Sequence, residues 1–163
     1  MRVDITMCTF RRPEVAEAIA SLGRLTGLDG ISLRLVVADN DDTDSARQVV
    51  AEAARALPFP CLYIHAPARN ISIARNACLD AATDADWFAS IDDDERADPQ
   101  WLAELLAAAQ AAGASCAIGK VLADYPPETP KWVREVDLHS TFPETERVPT
   151  ANSGNAAIRW KGM

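Results

Sequence analysis

The sequence predicts an α/β protein with a mostly parallel sheet and helices on both of its faces. Short apolar or β-branched runs alternate with segments whose apolar residues recur at helical spacing. Parallel strands need long crossover connections, and helices of this kind supply them. A chain of 163 residues is also long enough for one domain with a buried core.

Strands are expected wherever a short apolar run is bounded by turn residues. Five such runs are present, at 3–8, 33–38, 61–64, 87–91 and 115–121, and a last short extended run follows at 155–160. Because helical segments separate the first five, we expect crossover connections and a mostly parallel sheet.

Four helices are predicted between these strands from their start and stop signals. The signals are Pro13 in the first turn of the first helix, Thr43 or Asp44 as cap of the second, Ser72 as cap of the third over 73–82, and Asp98 followed by Pro99 in the fourth. Gly113 should end the fourth helix.

Residues 1–123 form the predicted core, and the character of the chain changes over 124–150. Five prolines interrupt this segment, which has no clear periodicity. A segment of this length is typical of a functional loop or of disorder. Trp132, within it, would either stack on a sugar or fill the core.

Composition narrows the function classes. The net charge of −8 argues against general nucleic-acid binding, which needs a basic surface. No run of 18 apolar residues is present, so the sequence predicts no transmembrane helix, and the N-terminus resembles a first strand more than a signal peptide. We interpret the four widely spaced cysteines as reduced core residues of a cytosolic protein, with a zinc site as the alternative.

Polar loops follow the predicted strands, and ligands of open parallel sheets bind at the carboxyl ends of strands. The most acidic of these loops contains Asp92, Asp93 and Asp94. Side chains alternate in direction along a strand, so Asp92 and Asp94 should point to one side, as a hard-oxygen pair suited to Mg²⁺ or Mn²⁺. The alternative is a solvated turn before a helix.

Two further loop residues are candidates for ligand contacts. Arg75 falls in the first turn of the third predicted helix, where a bound anion would make its charge favourable; a surface arginine is the alternative. Asp39 ends the second strand. The run DNDDTD is not an EF-hand loop, because Asp44 and Val50 stand where glycine and glutamate are required. A lone His65 favours a hydrogen-bonding role over catalysis.

Five segments in order resemble one known family. CTFRRP, VVADNDDTD, RNISIARNA, FASIDDDE and SGNAAIR together resemble the inverting glycosyltransferase family 2, which has the GT-A fold. The bacterial exopolysaccharide enzymes of the succinoglycan type are the most similar. No single segment is decisive, but their order and spacing cover nearly the whole chain.

The resemblance implies a role for each matching residue. Thr9, Phe10 and Arg12 would surround the base and ribose of a nucleotide sugar, Asp39 would read the base, and Arg75 would contact the nucleotide. Asp94, with Asp92, would bind Mn²⁺ or Mg²⁺ at the diphosphate, while Asp92 or Asp93 would face the ribose or the donor sugar. Gly154 and Asn155 would lie near the sugar and the acceptor.

The implied activity is inverting transfer from a nucleotide-diphosphate sugar, with UDP favoured, to a glycan or lipid-linked glycan acceptor. It implies a cytoplasmic protein, with peripheral attachment to the inner membrane as the alternative. Residues 124–163 would begin the acceptor side of the same domain. A metal-dependent phosphohydrolase is a weaker alternative, because CTFRRP offers neither a nucleophilic aspartate nor a glycine-rich phosphate loop.

The sequence departs from the family at its catalytic base. The family's base follows the Gly-Asn element at some distance, and this chain ends at Met163. We therefore expect a fragment or a natural short form that holds the donor half, with the base beyond Met163; Glu144, Glu146 and Asp137 are the substitutes left open. The alternative function is a non-catalytic nucleotide-sugar-binding module. Apolar surface left uncovered would favour self-association.

Overall fold

The computed structural model describes residues 1–141 and 154–160. Its six strands are β1 (Arg2–Thr9), β2 (Ser32–Asp39), β3 (Cys61–His65), β4 (Trp87–Ile91), β5 (Cys116–Ile118) and β6 (Asn155–Arg159). Its helices are α1 (Val15–Leu22), α2 (Arg47–Ala54), α3 (Ile71–Ala81), α4 (Trp101–Ala111) and α5 (Lys131–Val136).

The strands form one sheet in the order β3-β2-β1-β4-β6-β5. β1 pairs in parallel with both β2 and β4, and β2 pairs in parallel with β3. The mostly parallel sheet is therefore confirmed. The predicted last extended run is β6, which inserts antiparallel between β4 and β5 and so brings 155–159 beside the centre of the sheet.

Helices cover both faces, as predicted. On one face α1, α2 and α4 pack on β1, β2 and β4 in a core that includes Ile5, Met7, Leu35 and Leu102. On the other face α3 packs through Ala74 and Cys78 on Val36 and Ala38. The alternation of side chains along each strand divides apolar residues between these two cores.

Three predicted caps are wrong in detail. Helix α3 begins at Ile71, and its N-cap is Asn70 rather than Ser72. The Asn70 side chain accepts a hydrogen bond from the Ser72 amide at 2.9 Å. No side chain of the 43–44 pair caps α2; the carboxylate of Asp39 accepts from the Ala46 amide instead.

The start of α4 also lies later than predicted. The helix begins at Trp101, after a turn in which the Asp98 carboxylate accepts from the Gln100 amide at 2.9 Å. Gly113, with φ of +59°, follows its end as expected, because glycine adopts this left-handed conformation without strain.

The segment after β5 contains a helix that periodicity does not reveal. α5 has only six residues and follows Pro130. Trp132 on it is 66% exposed, so the core-filling interpretation of Trp132 is wrong. β5 is shorter than predicted and ends at Ile118.

The cysteines divide by environment. All four are free, Cys78 is buried, and Cys116 is exposed, so the interpretation as core residues is wrong for Cys116.

Within residues 1–141 and 154–160, no helix is long and apolar enough to span a membrane.

A buried ion pair joins three elements below the site. Asp4 of β1 is fully buried and accepts from Arg34 of β2 at 3.1 Å and 2.5 Å. The same guanidinium donates to the carbonyl of Ala81, the last residue of α3, at 2.7 Å. Arg34 therefore holds the C-terminal end of α3 against the two strands.

We predict that Arg34→Met lowers the free energy of unfolding by about 3 kcal/mol, because it leaves the buried Asp4 carboxylate with only the longer Arg2 contact. Urea unfolding followed by circular dichroism measures this change. The exposed Arg55→Met is the matched control and should change stability by less than about 0.5 kcal/mol. Equal stabilities of the two variants would contradict the role of the pair.

Candidate active site

A small pocket lies at the carboxyl ends of β1 and β4. Its volume is about 240 Å³. The chain builds β2 and β3 on one side of β1 and then returns to build β4 on the other side. Such a reversal of strand order opens a crevice in which α/β proteins bind ligands.

Most of the predicted site residues line this pocket. They are Thr9, Phe10, Arg12, Arg75, Asp92, Asp93 and Asp94. Cys8, Asn40 and Ile71 line it as well and were not among the predicted site residues. The position of Asn40, next to Asp39 in a polar loop after a strand, was the available signal for it.

Asn40 connects the pocket loops to each other. Its side chain is 6% exposed, and its Oδ1 accepts from the Asn70 amide at 2.9 Å. Because Asn70 caps α3, this bond fixes the start of that helix beside the end of β2.

Asp39 lies behind the pocket wall. It is fully buried, and its carboxylate accepts from the amides of Asp41 and Ala46 and from the Tyr63 hydroxyl, at 3.0, 2.8 and 2.7 Å. Through these bonds Asp39 stabilises the loop after β2 and the start of α2. Base reading by Asp39 remains a prediction.

The three aspartates do not alternate in direction as a strand would require. β4 ends at Ile91, and a turn follows in which the Glu95 amide donates to the Asp92 carbonyl at 3.2 Å. Asp93 and Asp94 therefore share one cation, Arg12, at 3.5 and 2.7 Å. Asp92 faces Arg75 instead, at 3.7 Å.

Arg75 reaches the pocket from the second turn of α3, since the helix begins at Ile71. The predicted place in the first turn is thus wrong by two residues, and the Arg75 guanidinium pairs with the Asp92 carboxylate of the protein itself. Binding of an anionic ligand by Arg75 remains a prediction. Arg75 and Asp92 are each partly exposed, so solvent screens this pair.

Two buried oxygens at the pocket lack a partner. Within the described part of the chain, Thr9 Oγ1 and Asp93 Oδ2 make no hydrogen bond. The Thr9 side chain nevertheless lies close to the Asp93 carboxyl and opposes the rise in its pKa that burial causes. Burial raises the pKa of Asp93, and the nearby Arg12 charge opposes this. Buried polar atoms without partners are costly, which is typical of a ligand site.

The carboxylates at the edge of the pocket are partly desolvated. Burial raises the pKa of Asp92, and the Arg75 charge opposes the rise. Burial also raises the pKa of Glu95 to about 7. Glu95, which had no predicted role, accepts from the Asp92 amide at 3.3 Å and so supports the turn.

Gly154 and Asn155 lie on the far side of this turn. A Cβ at Gly154 would stand 2.5 Å from Asp92 Oδ2, so the Asp92 carboxylate occupies the space that a side chain at residue 154 would need. Asn155 accepts from Trp101 Nε1 at 2.8 Å and donates to the Lys120 carbonyl at 2.9 Å. These bonds hold β6 against α4.

Asn155 lies away from the small pocket and lines a larger cleft of about 1110 Å³. The wall of this cleft includes Glu95, Trp101, Lys120 and His139. Asp94 lines both spaces, so the cleft and the pocket meet at its carboxylate.

The residues considered as substitutes for the catalytic base are Asp137, Glu144 and Glu146, and the structure describes only the first of them. Asp137 accepts from the Tyr125 hydroxyl at 2.8 Å, a bond that lowers its pKa and makes it a poorer base. Glu144 and Glu146 lie outside the described residues. His65 Nε2 is 3.0 Å from the Asp41 carbonyl, consistent with the hydrogen-bonding role expected for it.

A divalent ion would have few protein ligands here. Over 1–141 and 154–160, no group of three His, Cys, Asp or Glu side chains is arranged to hold a metal. Mg²⁺ commonly takes one or two carboxylates and completes its shell with water and phosphate. One carboxylate, such as that of Asp94 or Asp92, is enough for an ion of that kind, whereas the described residues do not form an all-protein metal site.

Comparison with known proteins identifies the family. The model of "Glycosyl transferase family 2" matches residues 4–160. The chain belongs to glycosyl transferase family 2. The resemblance of the five sequence segments is thereby confirmed.

A curated protein is similar over almost the whole chain. The succinoglycan biosynthesis protein ExoM of Rhizobium meliloti (strain 1021) is 44% identical over 161 residues, which are 98% of this chain and 52% of that protein. The chain therefore spans about half the length of this relative.

Solved structures share the fold at low identity. The mannosyltransferase PcManGT from Pyrobaculum calidifontis, in complex with GDP-Man and Mn²⁺, has a TM-score of 0.64 at 18% identity, over 96% of this chain and 44% of that one. S. aureus TarS 1–349 in complex with UDP has a TM-score of 0.58 at 17% identity, over 79% of this chain and 39% of that one. The GT-A fold is confirmed.

Gly154→Ala should separate the geometry of the pocket from folding. The new methyl group displaces the flexible Asp92 carboxylate from its position beside residue 154, so we expect near-normal thermal stability and about tenfold weaker binding of UDP, the ligand proposed below, measured by calorimetry. In the control Gly23→Ala the nearest contact is an ordinary 3.5 Å. Unchanged UDP binding in Gly154→Ala would show that the Asp92 position does not matter.

Proposed function

We propose that this chain is the donor-binding part of an inverting glycosyltransferase that uses a nucleoside diphosphate sugar, with UDP as the favoured nucleoside diphosphate. The observation that carries the proposal is the pocket at the β1–β4 crevice, where Thr9 Oγ1 and Asp93 Oδ2 are buried and make no hydrogen bond to any residue that the structure describes. A ribose or sugar hydroxyl donates and accepts hydrogen bonds, so it can satisfy both oxygens at once.

The charges of the pocket support a phosphate ligand together with a cation. Asp92, Asp93 and Asp94 face Arg12 and Arg75, which leaves one net negative charge when all five side chains are ionised. An anionic diphosphate alone would be repelled by the uncompensated carboxylate. A divalent cation reverses the sign of the field and makes the pocket complementary to the diphosphate.

Mn²⁺ or Mg²⁺ is the proposed cation, with Asp94 and Asp92 as its protein ligands. Bound there, the ion would supply Lewis-acid stabilisation of the charge that grows on the departing diphosphate. Arg12 and Arg75 lie beside the same carboxylates and would donate to phosphate oxygens once those carboxylates turn to the ion.

The larger cleft is the proposed acceptor side. It meets the donor pocket at Asp94, and aromatic and polar side chains such as Trp101, Gln100 and His139 line it, a combination suited to sugar rings. A glycan or lipid-linked glycan of exopolysaccharide synthesis is the proposed acceptor, in agreement with the similarity to ExoM. The proposed location is cytoplasmic, with peripheral attachment to the inner membrane for a lipid-linked acceptor.

Titration with UDP tests the donor site. We predict that Mn²⁺ increases the affinity of the wild type for UDP. In Asp94→Asn this increase should be lost, because the carboxylate that shares the ion with the diphosphate is gone. In the presence of Mn²⁺, the variant should therefore bind UDP about tenfold or more weakly than the wild type. Calorimetry with and without Mn²⁺ measures it. GDP in parallel titrations decides the nucleotide, and equal UDP affinity with and without metal in the wild type would overturn the metal assignment.

Asp98→Asn is the matched control for that experiment. Its carboxylate is close in sequence but bonds only to the start of α4, so the metal effect on UDP binding should persist. Turnover of a UDP-sugar in the presence of acceptor then distinguishes an enzyme from a binding module.

Arg12 should compete with the metal ion for Asp94. In Arg12→Gln we expect Mn²⁺ alone to bind about two- to fivefold more tightly, because the 2.7 Å ion pair no longer has to open. The signal of free Mn²⁺ in electron paramagnetic resonance measures this. Arg55→Gln removes the same charge elsewhere on the surface, and a similar gain there would attribute the effect to net charge alone.

A further inference from the structure

Two of the four cysteines meet at the floor of the donor pocket. Cys8, near the end of β1, lines the pocket and packs on the small core formed by Val36, Ala38, Ala74 and Cys78. Cys78 lies on α3 and is 1% exposed. The pocket therefore has a solvent-facing thiol with a second thiol directly behind it.

The contacts of Cys78 fix its sulfur beside Cys8. Its Sγ lies 3.8 Å from the carbonyl of Met7, the residue before Cys8, and 3.8 Å from that of Val36. Cys8 packs against the cluster that contains Cys78. The neighbouring Cys78 thiol lowers the pKa of Cys8 against the effect of burial, and the Cys8 thiol together with burial raises the pKa of Cys78. Cys8 is thus the more acidic member of the pair.

We propose that Cys8 and Cys78 form an oxidisable thiol pair whose disulfide weakens nucleotide binding in the pocket. The effect on nucleotide binding rests on the proposed function, whereas formation of the disulfide does not. The remaining cysteines, Cys61 on β3 and the exposed Cys116 on β5, do not line the pocket and serve as internal references.

The oxidation balances with a hydroperoxide as the oxidant. The Cys8 sulfur attacks the outer peroxide oxygen, the O–O bond breaks, and Cys8 becomes a sulfenic acid while the peroxide leaves as an alcohol, or as water when the oxidant is hydrogen peroxide. The Cys78 sulfur then attacks the Cys8 sulfur, the S–O bond breaks, and water leaves with the Cys78 proton. Two electrons pass from the two thiols to one peroxide.

The disulfide would draw together the two elements that form the pocket floor. An S–S bond is about 2 Å long, shorter than any contact between unbonded sulfur atoms. Thr9 directly follows Cys8, and Arg75 lies one turn before Cys78 on the same helix. Movement of α3 toward β1 therefore shifts Thr9 and Arg75 relative to each other, and with them the proposed nucleotide contacts.

Peptide mapping of the wild-type protein tests the thiol pair. Trypsin places the four cysteines in four different peptides, which span 3–11, 56–69, 76–96 and 97–120. After treatment with hydrogen peroxide and alkylation of the remaining thiols, we expect peptides 3–11 and 76–96 to be joined, and dithiothreitol to separate them. Alkylated, unlinked peptide 3–11, or its linkage to peptide 56–69 or 97–120, would overturn the pair.

The variant Cys78→Ser tests the order of the two steps. Without the second thiol, Cys8 should stop at the sulfenic acid, which dimedone traps on peptide 3–11. Absence of the dimedone adduct from Cys8 would contradict Cys8 as the site of first oxidation. If this variant does not fold, brief peroxide treatment of the wild type with dimedone present gives the same comparison between peptides 3–11 and 76–96.

Titration with UDP in the presence of Mn²⁺ tests the consequence for the pocket. We expect the oxidised wild type to bind UDP about tenfold more weakly than the reduced protein, and reduction to restore the affinity. If the reduced protein binds UDP and the mapped disulfide leaves the affinity unchanged, the inference fails and the proposed function stands. If the reduced protein does not bind UDP, the proposed function fails, while peptide mapping still decides the thiol pair.

Discussion

The position of β1 between two parallel neighbours determines the geometry of the site. Because β2 and β4 flank β1 and run in the same direction, their following loops leave the sheet at one edge. Helix α3 covers the face of the sheet that α1, α2 and α4 leave free, and it brings Arg75 to the edge where these loops leave the sheet. The pocket therefore draws on segments that are far apart in the sequence, from Thr9 to Asp94, and no single motif defines it.

The electrostatics of the pocket follow from this convergence. Three aspartates follow β4 in a turn, and the only compensation provided by residues described around the pocket is Arg12 from the loop after β1 and Arg75 from α3. The cluster remains acidic and partly desolvated, as the raised pKa values of Asp92 and Glu95 indicate. Such a site gains from a cation, and a cation in turn makes it receptive to phosphate. The local charge thus supports the metal–diphosphate chemistry proposed for this member of the family.

Much of the fold and of the pocket follows from sequence pattern, because apolar periodicity and polar loops after strands are local signals. Where the prediction from sequence is wrong, the cause is a long-range contact or a backbone geometry that residue types do not show. The antiparallel insertion of β6 depends on long-range pairing with β4 and β5. The position of the Asp92 carboxylate against residue 154 depends on the missing side chain of glycine. Asn70 replaces Ser72 as cap because its extended backbone directs its side chain to the helix amides. Asp39 is fully buried behind the pocket and Asn40 lines it, a difference set by the turn after β2, and turn geometry is not visible in residue types.

The central claim is that the acidic turn after β4 holds a nucleoside diphosphate through a divalent ion. A crystal structure of the protein with UDP and Mn²⁺, with data collected at the manganese absorption edge, tests it most directly. The account predicts an anomalous peak in contact with an Asp94 carboxylate oxygen and with the diphosphate, and a ribose near Thr9 and Asp93. UDP bound elsewhere, or a manganese peak away from the turn at 92–94, would contradict it.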